Sequence, residues 1–296
     1  MTGYALAVLA VYAIIGAVVG AFAVPRIADM LLNRAYLRSY TWWHRCLDEF
    51  SRYRDAFPGR LPRQSEKGSA GAVGMWLEDC RSQALKGTLT HERAEALREA
   101  GIDVGKGSSA RSEAEQRRRC SFSARAWQRV VLAAAMALWF AAQPLSGAPW
   151  HQGCLLCVCG AVMASGVVCD LRARVIPLEC CAALLVVGGT YQLLRHGSAG
   201  IAEGAVAAAV VLAVCWVANL IARKSGGSVG FGDIRCMTAL AFACGPATLL
   251  GAAACYASAC AFSLAGMLVH RLGRRDGIPM APFLSVWLAV GTTVLG

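Results

Sequence analysis

Eight stretches of the chain are apolar and long, or nearly long enough, to cross a bilayer, and polar segments separate them. They fall at 3–24, 127–143, 150–169, 178–194, 201–222, 234–246, 248–270 and 279–295. A helix needs roughly 17–25 apolar residues to span hydrocarbon about 30 Å thick. The run 234–246 is short and needs flanking apolar residues or local bilayer thinning. The first run carries Gly16 and Gly20 in G-x-x-x-G spacing, which favours close contact between helices, and Pro25 and Arg26 mark its exit.

Between the first two runs lies a polar region, 25–126, with its own periodicity. Leu32, Tyr36, Tyr40, Trp43, Leu47, Phe50 and Phe57 recur at three- and four-residue steps, which predicts an amphipathic helix continuing from the first run. Such a helix lies against the membrane surface or the protein, and Pro58, Gly59 and Pro62 end it. The Gly/Ser/Ala-rich stretch 68–74 reads as a linker. Thr90 is placed to cap a short helix running to Ala100, with Gly101 as its stop. Residues 103–121, charged and rich in Gly and Ser, read as a mobile segment.

Composition agrees with the pattern: 57% of residues are hydrophobic and only 16% charged, too apolar for an ordinary soluble domain. The net charge of +11 does not point to nucleic acid, because Lys and Arg cluster between the apolar runs as in cytoplasmic loops. Of the 29 Lys and Arg residues, 20 lie in the polar region up to Arg129, against 13 acids. With residue 1 outside, the cytoplasmic segments are 25–126, 170–177, 223–233 and 271–278. They hold Arg172, Arg174, Arg223, Lys224, Arg271, Arg274 and Arg275, and only Arg195 is left outside. The expectation is a multi-pass protein of the cell (inner) membrane with both ends outside. No cleavable leader is expected at the N-terminus, because no basic segment precedes the first apolar run.

That topology puts two aspartates on one face. Asp170 closes an apolar run and opens Asp-Leu-Arg-Ala-Arg-Val-Ile-Pro, and Asp233 follows Gly230-Phe231-Gly232 and directly precedes the next run. An ionisable group at the edge of hydrocarbon is costly to bury and marks a functional site. Two carboxylates brought together share one proton: the ionised one takes a proton from water while the protonated one polarises a peptide carbonyl. Glycines on both sides of Phe231 allow close backbone approach to a substrate and dihedrals closed to other residues. Taken singly, each aspartate also reads as an interfacial cap or a partner of Arg172, Arg174 or Arg235. The pair at matching depth favours chemistry.

The segment 229–235, Val-Gly-Phe-Gly-Asp-Ile-Arg, resembles the G-x-G-D motif of the type IV prepilin peptidases, which are intramembrane aspartyl proteases. Asp170 to Pro177 resembles their first catalytic segment, Ile278 to Leu284 their late Ile-Pro-x-x-Pro-Phe segment, and Gly16 to Phe22 their small-residue first span. The resemblance implies Asp170 and Asp233 as the catalytic dyad, with Gly230, Phe231, Gly232, Ile176 and Pro177 positioning substrate. It also implies pilin-like precursors as partners, cut at the cytoplasmic membrane face. Many members also methylate the new N-terminus. The members with both activities carry paired C-x-x-C motifs, spaced as a zinc site, in the first loop. Here that loop has only the isolated Cys46, Cys80 and Cys120, and Arg235 stands where the family usually has Lys. No metal or cofactor is therefore expected.

The resulting expectation is an all-α polytopic protein of about eight spans with a long cytoplasmic first loop. It divides into a first helix (1–24), a cytoplasmic region with amphipathic helices (25–126) and a seven-helix peptidase core (127–296). Other readings remain open. One is a presenilin-type protease cutting within a span; another is an ion-coupled transporter using the same aspartates, for which no inverted repeat is visible. Cys154, Cys157 and Cys159 lie inside an apolar run and read as packing residues, with a metal site as the minor alternative. His44 and His91 read as surface residues. Arg117 to Arg119, with Arg125 and Arg129, read as an anchor for the second span that is also suited to anionic headgroups. Glu203 reads as a helix-start carboxylate, and Asn219 as a hydrogen-bonding partner for a neighbouring helix.

Overall fold

In a computed structural model the described residues are 3–63, 66–85, 87–103, 112–147, 149–224, 230–271 and 278–293, and among them every regular element is helical. The helices are α1 (Gly3–Val18), α2 (Val24–Ala56), α3 (Ser69–Leu85), α4 (His91–Glu99), α5 (Glu113–Arg119), α6 (Ala126–Leu145), α7 (Trp150–Ala173), α8 (Leu178–Lys224), α9 (Phe231–Cys244), α10 (Thr248–Leu268) and α11 (Ala281–Thr293). A π-helical turn, Val19–Ala23, joins α1 to α2, and a 3-10 turn, Gly245–Ala247, joins α9 to α10. Among the described residues, four continuous helical runs are long and apolar enough to cross a membrane: Ala5–Ala56, Trp150–Ala173, Leu178–Ala222 and Phe231–Leu268. Their length and apolarity mark a membrane protein. The helix Ala281–Thr293 is apolar but shorter.

Two of the long runs are broken by glycine. At Gly197 the backbone takes φ 64° and ψ −149°, outside the helical region, within α8. A Cβ on Gly189 would come within 2.8 Å of the Phe242 ring, and one on Gly204 within 2.6 Å of the Phe242 carbonyl oxygen. Fifteen residues of straight helix would separate those glycines by about 22 Å, so the chain folds back at Gly197 and both halves close on the end of α9. The break falls between the expected runs 178–194 and 201–222. Gly245, with φ 54°, likewise ends α9.

The chain forms two compact units, Met1–Leu31 with Phe122–Gly296, and Leu32–Ser121. In the first, helices meet where a side chain is missing. A Cβ on Gly16 would overlap the Met136 backbone, 2.8 Å from its carbonyl carbon, and one on Gly20 would lie 2.6 Å from that of Leu132. The G-x-x-x-G spacing therefore does bring α1 and the π turn directly onto the α6 backbone. The Trp139 indole lies over Gly160 and donates to the Leu156 carbonyl at 2.9 Å, joining α6 to α7. The apolar core of this unit includes Cys159, Met163, Ile176, Leu184, Ile234, Leu240, Ala281, Leu284 and Trp287.

The second unit corrects three expectations. Residues 69–74 are not a linker but the first turns of α3, and Gly71, Val73, Gly74 and Trp76 are buried. Their small side chains make room for contact rather than for flexibility. In the segment expected to be mobile, Ser112 caps α5 by accepting from the Glu115 amide, and residues 104–111 lie outside the described residues. Glu113 accounts for this order: its carboxylate accepts from Arg93 at 2.9 and 3.2 Å, from Thr90 Oγ1 at 3.0 Å and from Tyr36 at 3.3 Å. The stripe on α2 is real at Leu32, Tyr36, Trp43 and Phe50, which are buried, but Tyr40 and Phe57 are exposed. Trp43, Cys46 and Phe50 pack with Trp76, Leu77, Cys80, Leu89 and Leu97 in a second apolar core. The helix at 91–99, with Gly101 at φ 77° after it, stands as expected, but Thr90, at its N-cap position, makes no side-chain cap and gives its hydroxyl to Glu113 instead.

Candidate functional site

Three helix ends build the site, and each is shaped by a short sequence rule. The first is the C-terminal end of α7. Asp170 sits in its last turn, and the Arg174 amide donates to the Asp170 carbonyl at 2.9 Å. Arg174 adopts the left-handed conformation, φ 57°, which ends the helix as a C-cap does. The chain then runs through Val175 and Ile176 to Pro177, which cannot extend the helix behind it, and α8 begins at Leu178. The second is the N-terminal end of α9, where Gly230 is the cap and Phe231, Gly232 and Asp233 lie in the first turn. A carboxylate there is favoured by the helix dipole. The third is the start of α11, behind Pro279 and Met280.

These ends are tied to one another. Gly232 lies against the backbone of Ile176: a Cβ there would sit 3.4 Å from the Ile176 carbonyl oxygen and 3.5 Å from its nitrogen. Asp170 accepts a hydrogen bond from the Ala281 amide at Oδ2, 2.9 Å away. The Asp170 and Asp233 carboxylates are close enough to repel each other electrostatically. Ile176, Ile234 and Ala281, neighbours of these groups along the chain, share the apolar core. Asp170 is 5% exposed, whereas Asp233 is half-buried. The arrangement is therefore one sheltered carboxylate with a fixed donor beside one more open carboxylate.

The glycines act differently from the sequence expectation. Gly230 has φ −62° and ψ 132°, open to any residue, and Phe231 and Gly232 are helical. Their value is space rather than unusual dihedrals. The Asp233 carboxylate folds back over Gly230, so a Cβ there would come within 2.8 Å of Oδ2. Phe231 is 63% exposed, with the Arg235 guanidinium 5.9 Å from its ring. Pro177 and Ile176 are buried. Val229 and the residues just before it lie outside the described residues, as do Arg274 and Arg275.

The other candidates fall away from this place. Cys159 belongs to the core, Cys157 is buried and Cys154 is exposed beside Tyr12. His91 pairs with Glu95 at 3.0 Å, and His44 packs edge-on against Tyr40 and Trp43. Glu203 is exposed and Asn219 buried. The Ala281 amide is the contributor that side-chain reading missed. Its signal was the pair Pro279 and Pro282 framing a helix start, a position where amides are left without helical partners.

Residues 154–294 match the model of the type IV leader peptidase family. The match spans all three helix ends, and over that segment the chain is similar to the leader peptidases. No curated protein and no solved structure matches.

Proposed function

We propose that this prepilin peptidase-like protein is an intramembrane aspartyl endopeptidase that removes the leader of type IV pilin-like precursors at the cytoplasmic membrane face. Asp170 and Asp233 form the dyad. One carboxylate takes a proton from the attacking water, and the other gives a proton to the carbonyl oxygen of the scissile peptide. The tetrahedral intermediate then collapses as the leaving amine is protonated. The observation that carries the reading is the convergence just described: Gly232 on Ile176, and Asp170 on the Ala281 amide, in a chain whose 154–294 segment matches a peptidase family.

In this reading the chain crosses the inner membrane eight times with both ends outside. The break at Gly197 and the turn at Gly245–Ala247, which interrupt the two longest apolar runs of 154–294, support this reading. A pilin-like substrate fits such a site, because a polar leader stays in water while its apolar helix stays in the bilayer. Gly230, Phe231, Gly232, Ile176 and Pro177 shape the place where the extended scissile segment lies. Methyl transfer is not assigned to this chain, since the first loop lacks the paired C-x-x-C motifs.

The test is co-expression of a pilin-type precursor with wild-type protein, Asp170→Asn and Asp233→Asn, reading the size and new N-terminus of the product. Wild type is expected to cut at the junction of leader and apolar helix. Both variants are expected to leave the precursor whole. Full processing by either variant sinks the dyad, and a cut deep inside the apolar helix points to a presenilin-type enzyme.

A further inference from the structure

The start of α11 has one backbone donor to spare. A helix leaves its first amides without helical partners. Here the amides of Phe283 and Leu284 both donate to the Met280 carbonyl, at 3.0 Å each, and Pro282 has no N–H. That leaves the Ala281 amide, and it donates to Asp170 Oδ2 at 2.9 Å. Both partners are buried: Ala281 is 0% and Asp170 5% exposed. The described part of this segment, 278–293, contains no ionisable side chain. Its influence on Asp170 therefore passes through this backbone contact and through the positive end of a 13-residue helix.

From this contact we infer that α11 positions Asp170 as the standing anion of the pair, so that Asp233 carries the shared proton. The inference rests on the dyad proposed above and assigns the roles within it. An N–H can only donate, so it favours the ionised carboxylate, which accepts most strongly. No comparable donor to Asp233 is found among the described residues, and its carboxylate sits over Gly230 in a half-buried position. Asp170 is then the base that takes a proton from water as the water oxygen bonds to the scissile carbonyl carbon. Asp233 gives its proton to the carbonyl oxygen. As the C–N bond breaks, the proton held by Asp170 passes to the leaving nitrogen, and Asp233 recovers its proton from the collapsing hydroxyl. Ala281 is a positioning residue, acting through Asp170.

Other charged and titratable groups face this pair and act on the same equilibrium. They are Cys169 beside Asp170, Cys181 on α8, Cys236 on α9 and Tyr256 on α10 around Asp233, and, acting on these thiols in turn, Glu179 and Cys180 on α8 and Arg235 on α9. Arg274, Arg275 and Asp276 lie outside the described residues. The test therefore changes only the backbone donor and leaves every one of these groups in place.

Ala281→Pro removes the N–H and Ala281→Gly keeps it. Cleavage of a pilin-type precursor is followed against pH in full-length protein. Ala281→Pro is expected to move the acidic limb of the rate profile up by about one pH unit, since loss of a hydrogen bond to a charged group costs about that much. Ala281→Gly is expected to leave the limb in place. A fall in rate with the limb unmoved in Ala281→Pro overturns the assignment.

A second measurement covers a proline variant that does not fold. Carbonyl-13C Met with 15N-Ala labelling selects three Met-Ala pairs, Met136-Ala137, Met163-Ala164 and Met280-Ala281. The last is identified by its loss in Ala281→Gly. Its amide shift is expected to titrate with the lower of the two carboxylate steps, to stop titrating in Asp170→Asn, and to keep titrating in Asp233→Asn. An amide that does not titrate, or that follows only the upper step, contradicts the inference. Full cleavage by Asp170→Asn or Asp233→Asn removes the dyad itself, a failure distinct from either of these.

Discussion

Gly230→Ala separates the placement of the Asp233 carboxylate from the stability of the fold. Gly230 sits at φ −62°, so alanine meets no backbone strain. The new Cβ would lie 2.8 Å from Asp233 Oδ2, while contacts of 3.4 Å and above are ordinary, so carboxylate and Cβ must part by 3.4 − 2.8 = 0.6 Å. The atom that gives way is the end of a side chain, so the structural cost is small. Replacing a glycine cap by alanine adds about 0.5–1 kcal/mol. Chemistry is less forgiving, because a displacement of about 1 Å in a reacting group costs up to about 100-fold in rate. The expected result is a 10- to 100-fold fall in kcat for precursor cleavage with a melting temperature in detergent within a few degrees of wild type. Gly153→Ala, near the start of α7, is the control. Its Cβ would sit 3.5 Å from the Gln143 Cβ, an ordinary contact, and alanine gains about 1 kcal/mol over glycine inside a helix. It should fold as well as wild type and cut within a few-fold of it. Equal activity of Gly230→Ala and wild type, or loss of activity only in step with loss of fold, refutes the reasoning.

Elsewhere in the membrane unit, Gly16→Val and Gly20→Val should each destabilise by about 1–3 kcal/mol, because the added atoms meet the α6 backbone rather than a movable side chain; stepwise SDS unfolding measures this. Glu113→Ala should cost the second unit about 2–3 kcal/mol, since it strands Arg93, Thr90 and Tyr36 together, and limited proteolysis between 85 and 121 should accelerate. Burial pushes the Cys80 thiol up to about 12, and the residue is 1% exposed. At pH 8 its alkylation should therefore follow unfolding, which mass spectrometry of timed samples can read. The same burial has a sign. The folded state holds the proton longer than the unfolded state, so this thiol's contribution to stability is whole below about pH 9 and falls by about 1.4 kcal/mol per pH unit between there and about 12.

The membrane helices were legible in the chain because hydrocarbon demands long apolar runs whatever they pack against. Gly16 and Gly20 were legible for a related reason: their spacing puts both on one face, where only a missing side chain permits backbone contact. Asp170 and Asp233 could be paired from charge distribution, since the arginines assign the ends of both runs to one expected side. The second unit was harder. Its order rests on partners distant in sequence, such as Trp43 with Trp76 and Glu113 with Arg93, 5.9 Å between ring centroids in the first pair and 2.9 Å between polar atoms in the second. Local composition around residue 70, rich in small residues, describes a flexible linker and a tightly packed helix equally well. At the site itself, what escaped was backbone chemistry. The Ala281 amide leaves no mark on the identity of its own side chain, and the glycines of 230–232 were read for dihedral freedom when they supply room.

The central claim is that the two aspartates work as one unit, and a double-mutant cycle on purified protein in lipid bilayers tests it most directly. Cleavage of a pilin-type precursor is measured for wild type, Asp170→Asn, Asp233→Asn and the double variant. If the pair is the unit, each single variant loses cleavage by several orders of magnitude and the double variant is no worse than either. Losses that add, or one single variant that cuts at the wild-type rate, would contradict it.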